Sequence, residues 1–329
     1  MQTIEFNKKP TIISTGTIAG PKECAGIIKD YVDKRLDDDM FGEETYEKAE
    51  CKMLTYSIEQ AIENARLKEC DIDLMLAGDL LNQIISASFS SRNFQIPFFG
   101  LYGACSTMAE SMIIGANFIN GGLYNKILCA TASHFSSAER QYRYPLELGN
   151  TRPPQSQWTV TAAGACILAN HGDGPRITRA TAGKVVDYGV VDVNNMGAAM
   201  APAAADTIVT HLKETGLPPS YYDLIITGDL GALGSRILKD LTWEKGYDIE
   251  KQHVDCGELI YNVCEGEFQG GSGAGCSAVL MNSYFYSALK TKKLNKILFV
   301  ATGALLSSTS SQQGESIPGI AHAVALENL

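Results

Sequence analysis

Cys105 is the residue of this 329-residue chain best placed for chemistry. It stands in Gly103-Ala104-Cys105-Ser106, where a strand is expected to turn sharply into a helix. Glycine permits a tight turn. The start of a helix offers free N–H groups and a partial positive charge, which bind anions and favour a thiolate. Asp79 and Asp229 each follow a short apolar run and a glycine. That places them at the carboxyl end of an expected strand, where parallel sheets put their ligands. Each would either cap the next helix through its carboxylate or face a ligand. Between His134 and Trp158 lie Arg140, Tyr142, Arg143, Tyr144 and Arg152. Arginine holds a carboxylate with two bonds, and aromatic rings stack on planar ligands. The same stretch, read as a long loop, would equally form a dimer contact, with its arginines paired to Glu139 and Glu147. His134 and His322 are the histidines that could serve as a base. His171, His211 and His253 read as structural. Cys24, Cys51, Cys70, Cys129, Cys166, Cys256, Cys264 and Cys276 read as core or neutral positions.

Composition removes several function classes. The net charge of −10 argues against non-specific binding to nucleic acid or to anionic lipid. Nine cysteines without a C-x-x-C pair read as reduced intracellular thiols, not as a disulfide framework or a zinc site. The first ten residues lack the apolar core of a signal peptide. No stretch approaches the ~20 apolar residues of a membrane span. The richest run, 197–205, is short and contains Pro202. Apolar residues at 45% and charged residues at 19% describe an ordinary packed protein.

The elements that must position Cys105 occur twice. Asp73-Leu-Met-Leu-Ala-Gly-Asp-Leu80 matches Asp223-Leu-Ile-Ile-Thr-Gly-Asp-Leu230 at an offset of 150 residues. Asn125-Lys-Ile-Leu128 matches Asn295-Lys-Ile-Leu298 at an offset of 170, which also lays Gly103-Ala-Cys-Ser106 over Gly273-Ala-Gly-Cys276. The change of offset implies extra residues in the second copy, with 257–269 the natural candidate. Period and punctuation predict strands over 11–15, 73–77, 97–101, 126–131 and 161–169, with helices over 49–68 and 105–120. The second copy is expected to place strands over 177–186, 223–227, 253–255, 296–301 and 320–326, with helices over 199–215, 233–245 and 275–289. Short apolar strands alternating with helices imply mainly parallel sheets. The expected fold is α/β: a duplicated body in five layers, α-β-α-β-α, with halves at 1–175 and 176–329. The low-charge helices after Cys105 and Gly273 would be buried between the sheets.

This plan, with its Gly-Ala-Cys-Ser elbow, resembles the thiolase and ketoacyl-synthase superfamily over nearly the whole chain. More specifically, Gly103-Ala-Cys-Ser-Thr-Met-Ala-Glu110, Thr131-Ala-Ser-His-Phe135 and Ala138-Glu-Arg-Gln-Tyr-Arg-Tyr-Pro145 are similar to the stage V sporulation protein AD family. So are Gly78-Asp-Leu-Leu-Asn-Gln83, Trp158-Thr-Val-Thr-Ala-Ala-Gly164, Ile226-Thr-Gly-Asp-Leu-Gly231 and Gln269-Gly-Gly-Ser-Gly-Ala274. The resemblance implies a non-catalytic protein of sporulating bacteria. It would bind dipicolinic acid, with or without calcium, for uptake into the spore and release in germination. Other SpoVA proteins at the spore inner membrane, a homodimer and a peripheral membrane association are implied in the same way. The ligand-binding set is then Cys105, Asp79, His134, Asp229, Ser106, Gly271, Ser272 and Arg140. In ketoacyl synthases of the initiating type, a His and an Asn serve the nucleophile. The matching positions here hold Asp229 and Gly270-Gly271, and an ionised Asp cannot donate to an oxyanion. Thiolases carry a second Cys near their C-terminal Gly-rich loop, and 302–311 has none. The alternative is an acyltransferase or ketosynthase-like enzyme that uses Cys105 as nucleophile.

Overall fold

The computed structural model describes residues 1–143, 151–261 and 269–329. Tyr144, Glu147, Cys264 and most of the expected insertion at 257–269 lie outside the described residues. Strands β1 (Thr11–Ala19), β2 (Leu74–Gly78), β3 (Phe98–Gly100), β4 (Lys126–Ser133) and β5 (Ala162–Ala169) lie side by side in the order β3-β2-β4-β5-β1. Strands β6 (Arg176–Thr181), β7 (Leu224–Thr227), β8 (His253–Asp255), β9 (Lys296–Ala304) and β10 (Gly319–Glu327) repeat that order as β8-β7-β9-β10-β6. In each group four strands point one way, and only β5 or β10 runs against its neighbours. The expectation of mainly parallel sheets is met in this sense. The groups join at one antiparallel pair, Thr11 with Arg176.

Helices α1 (Tyr46–Asn64) and α2 (Ile85–Ser91) pack against the first group of strands. Helix α3 (Thr107–Gly121) packs against strands of both groups. On the far side α5 (Met196–Thr215) covers the second group and α6 (Gly231–Glu244) packs on α5, with the short α4 (Phe135–Tyr142) and α7 (Cys256–Ile260) near the junction. Helix α8 (Ala274–Leu280) packs against α3 and the first group, completing the central layer. It continues through a π-helical turn, Met281–Phe285, and ends as Tyr286–Lys290. All seven residues of α8 and nine residues of α3 are buried. Small side chains make this possible: a Cβ on Gly164 of β5 would stand 2.6 Å from the Ala278 carbonyl oxygen. That distance is well inside contact, so only glycine fits.

The sequence repeat has a physical reason. Asp73 accepts from the N–H groups of Asn125 (2.6 Å) and Lys126 (2.9 Å). Asp223 accepts from Asn295 and Lys296 at the same two distances. Each aspartate thereby fixes the loop that starts the parallel neighbour strand, β4 or β9, and sets its register. The chain departs from expectation at three places. The central helix begins at Thr107, after a single 3-10 turn at Ala104–Ser106. Strand β6 stops at Thr181, and Val186 makes only an isolated bridge to Gly319. The 134–158 stretch is not a structureless loop, because it contains α4, capped by the His134 side chain. Among the described residues no helix is long and apolar enough to cross a membrane; Pro202 and its apolar run sit inside α5.

Candidate functional site

The elbow before α3 is tighter than glycine alone would make it. The left-handed residue is Ala104, at φ +50°, and not Gly103. A non-glycine residue in that region stores strain of about 1 kcal/mol or more. Local bonds hold it. Ser106 Oγ donates to the Gly103 carbonyl (2.6 Å) and Thr107 Oγ1 to the Ala104 carbonyl (2.7 Å). A Cβ at Gly103 would meet Glu110 Oε2 at 2.5 Å and Ser106 Oγ at 2.8 Å, so those side chains would have to shift. The result projects Cys105 into a narrow cavity of about 50 Å³ between the two halves. Its walls include Leu80, Tyr102, Tyr142 and Arg143 from one side and Met196, Met200, Ser272 and Leu306 from the other.

Asp229 closes the inner end. It is fully buried on the turn between β7 and α6. Its Oδ2 accepts from the Gly273 N–H (2.9 Å) and its Oδ1 from Thr302 Oγ1 (2.7 Å). The Cys105 thiol lies beside it in the same cavity. Burial pushes the Asp229 carboxyl up to about 6, against the pull of these donors. Burial likewise pushes the Cys105 thiol well above its ordinary value, and the neighbouring Asp229 charge adds to this, while the Gly273 N–H and Arg143 act the other way. Desolvation and the adjacent carboxylate thus act against the thiolate that the helix end favours.

Of the eight expected site residues, Cys105, Asp229 and Ser272 line the cavity. The other five do not. Asp79 accepts from Leu81 N–H (2.8 Å) and Ala87 N–H (2.7 Å), so its carboxylate clamps the turn leading into α2. His134 is buried; its Nδ1 accepts from Ser136 N–H and its Nε2 pairs with the Asp39 carbonyl (2.9 Å). It is held neutral by burial. Ser106 Oγ is turned to Gly103, and Gly271 pairs with Trp158 in a two-residue strand whose carbonyl accepts from Gln157. Arg140 points outward to Glu47. The arginine that reaches the cavity is Arg143, just past the end of α4, which is nearly buried and pairs with Glu139. Arg152 pairs with the same glutamate, as the structural reading of this stretch expected. Trp158 stacks flat on Phe135 at 3.9 Å. Tyr142 and Tyr102, hydroxyls 3.1 Å apart, are the aromatic groups at the cavity.

Two residues escaped the sequence reading altogether. Asp255 accepts from Thr227 Oγ1, Leu230 N–H, Gly231 N–H and Glu258 N–H, and so fixes the turn that carries Asp229. Gln157 donates to the carbonyls of Asp229 (2.7 Å) and Gly271 (2.8 Å). The sequence signal for Asp255 was available: an Asp at the end of a strand, three residues before a Glu that starts a helix. No histidine or asparagine is among the described residues lining the cavity. His322 is half-buried, with its Nδ1 accepting from the Gly183 N–H. Among the described residues no three His, Cys, Asp or Glu side chains come together as a metal ion would require.

The comparisons now fall into place. A family model described as Stage V sporulation protein AD matches residues 1–327. Stage V sporulation protein AD of Bacillus subtilis (strain 168) is 44% identical over 326 residues, covering 99% of this chain and 96% of that protein. Among solved structures, 3-oxoacyl-[acyl-carrier-protein] synthase III from Aquifex aeolicus VF5 superposes with a TM-score of 0.61 at 16% identity, covering 97% of this chain and 100% of that one. Cerulenin-bound OleA of Xanthomonas campestris gives 0.62 at 14% identity, covering 98% of each chain. At such identities the likeness establishes a thiolase-like fold.

Proposed function

Because the chain belongs to the stage V sporulation protein AD family, we propose that it is a non-catalytic binding protein of sporulating bacteria that holds dipicolinic acid in the Cys105 cavity. It would serve uptake of that ligand into the spore and its release in germination. One observation carries the non-catalytic reading: the Cys105 thiol has Asp229 beside it, and that carboxylate raises the thiol's proton affinity. An acyl-transfer nucleophile needs the opposite, a base that takes the proton and donors for an oxyanion. Arg143 at the wall supplies a cation for one ligand carboxylate. The Tyr102 and Tyr142 rings and the apolar walls suit a flat ring. Calcium, in this reading, arrives chelated by the ligand, since the cavity residues form no cluster for it.

Calorimetry on the purified protein tests this. Dipicolinate binds, and Arg143→Ala weakens it by about tenfold or more, the loss of a charge-assisted pair. No heat with or without calcium removes the reading. An acyl adduct on Cys105 after incubation with an acyl-thioester, seen by intact mass, would instead establish the acyltransferase, which the fold of the enzyme neighbours favours.

The same family membership supports a homodimer and peripheral association with other SpoVA proteins at the spore inner membrane. Strand β3 is an open edge, with Phe99 52% exposed and Phe89 43% exposed close by. Apolar side chains on an unpaired strand edge invite a second copy. Phe99→Asp is expected to shift the protein from dimer to monomer in sedimentation velocity. A wild-type monomer at micromolar concentration contradicts the dimer. Failure to recover membrane partners from sporulating cells contradicts the association.

A further inference from the structure

The cavity at Cys105, at about 50 Å³, has room for on the order of four waters. A planar ligand of about a dozen non-hydrogen atoms needs several times that space. Cys105 is half-buried, so a water-sized molecule reaches the sulfur. A wider space lies against this chamber: an outer groove of about 580 Å³, lined among others by Gln83, Ile84, Gly100, Leu305 and Ser307. None of the described residues lining the groove carries a charge. Tyr102, Tyr142 and Leu306 line both spaces, so these three side chains form the partition between them.

Tyr142, the last residue of α4, is latched across that partition. Its hydroxyl donates to the Leu80 carbonyl, and its oxygen lies 3.1 Å from the Tyr102 hydroxyl. A phenol has a single hydrogen to give, so the second bond runs from Tyr102 to Tyr142. Unlatching strands neither partner. The Leu80 carbonyl keeps Gln141 Nε2 as a donor at 3.3 Å. Tyr102 is 45% exposed, and its hydroxyl turns to water. The wall of the outer groove is built under strain: Gln83 and Ile84, two successive residues with side chains, are left-handed at φ +57° and +48°. That conformation is costly, most of all for a β-branched residue, and such positions cluster at ligand clamps. The neighbouring Asn82 N–H is held by Gln141 Oε1 at 3.0 Å, so the strained wall and the latch are tied to the same end of α4. We propose, on the reading that the Cys105 cavity is a ligand site, that Tyr142 is its gate. With the Tyr142 hydroxyl on Leu80 the chamber excludes anything as large as an aromatic acid. With the ring swung toward the outer groove the two spaces become one.

Thiol reagents of two sizes test the gate on the full-length protein at pH 9, with exposed Cys70 as the reference and peptide mass spectrometry as the readout. Methyl methanethiosulfonate is the small reagent and N-ethylmaleimide the bulky one. Relative to Cys70, wild-type Cys105 is expected to discriminate against the maleimide by about tenfold or more. Tyr142→Phe keeps the ring and removes both latch bonds. It is expected to speed the maleimide at Cys105 about fivefold to tenfold, and the small reagent less than about twofold. Tyr142→Ala, which removes the ring, speeds the maleimide further. An equal rise for both reagents means altered thiol acidity and overturns the inference. So does no rise for either, or a wild-type Cys105 that does not discriminate. No dipicolinate enters the measurement, so its outcome is separate from the calorimetry. Protein that binds dipicolinate but shows no size-dependent rise loses the gate and keeps the ligand. Protein that binds none but shows the rise keeps the gate.

Discussion

At pH 8, Cys105 of the wild-type protein is expected to resist iodoacetamide, whereas in Asp229→Asn it is alkylated at least tenfold faster. The thiolate is the reactive form, and each unit of pKa changes its fraction about tenfold. Burial and Asp229 both hold the Cys105 proton in place. Asparagine keeps the shape, its oxygen can still accept from the Gly273 N–H while its NH2 donates to the Thr302 hydroxyl, and it removes the charge. Exposed Cys70 serves as the internal standard, read by peptide mass spectrometry. The alanine variant has a different and larger cost. It leaves the Gly273 N–H and the Thr302 hydroxyl without their acceptor in a fully buried place. Orphaned buried donors cost about 1–3 kcal/mol each, so Asp229→Ala is expected to lose about 3–5 kcal/mol in urea unfolding. Rapid alkylation of wild-type Cys105 at neutral pH would show an activated nucleophile and return the protein to the enzymes.

The second large effect is in pH. Five buried carboxyls are pushed up by burial: Glu23 and Asp255 to about 7, Asp79 and Asp229 to about 6, and Glu50 well above its ordinary value. Such a group holds its proton more tightly folded than unfolded. Its contribution is therefore greatest below its ordinary value near 4 and is lost as pH rises to the folded value. Buried and half-buried histidines act in the opposite sense. Burial pulls His211 and His322 down to about 4 and His253 to about 3, and lowers His134. Their contribution is full above 6.5 and lost as pH falls below it. Between about pH 4.5 and 6.5 the two sets oppose each other, and stability is expected to be nearly flat. From 6.5 to 8 only the carboxyls with the highest values still titrate, so stability falls by on the order of 1–3 kcal/mol. Below about 4 His211 and His322 are charged in both states, their contribution is already lost, and the curve levels off. Urea midpoints at pH 4.5, 5.5, 6.5 and 8 read this curve. A steady rise from 4.5 to 8 would contradict it.

Much of this was legible in the residues. The short apolar runs place most of the strands within two or three residues, because most strands in this body are buried on both faces. The low-charge helices after Cys105 and Gly273 identify the central layer for the same reason: most of their residues are buried. The place of Asp229 beside Cys105 followed from the resemblance to ketoacyl synthases, whose His stands at the matching position. What was not legible is local. Helix α4 is only eight residues long and is capped by a histidine, so neither its length nor its cap stands out among the arginines and tyrosines around it. Without the helix, Arg140 and Arg143 are equivalent. With it, one faces Glu47 outside and the other the cavity. Asp79 and Asp229 share a repeat position but not a role, because the turn after Asp79 folds back onto its carboxylate, whereas Asp229 is approached by Gly273 from the central helix.

A duplicated scaffold ought to offer two receptacles, one at each elbow. The counterpart of Cys105 in the second copy is Gly275, whose N–H donates to Ser133 Oγ at 3.0 Å. A single methyl there would lie 2.4 Å from the Ala162 carbonyl oxygen and 2.8 Å from that same hydroxyl. The second elbow is stoppered by the first half's own backbone. Saturation at this position should therefore come at one molecule per chain, an odd stoichiometry for a body made of twin parts.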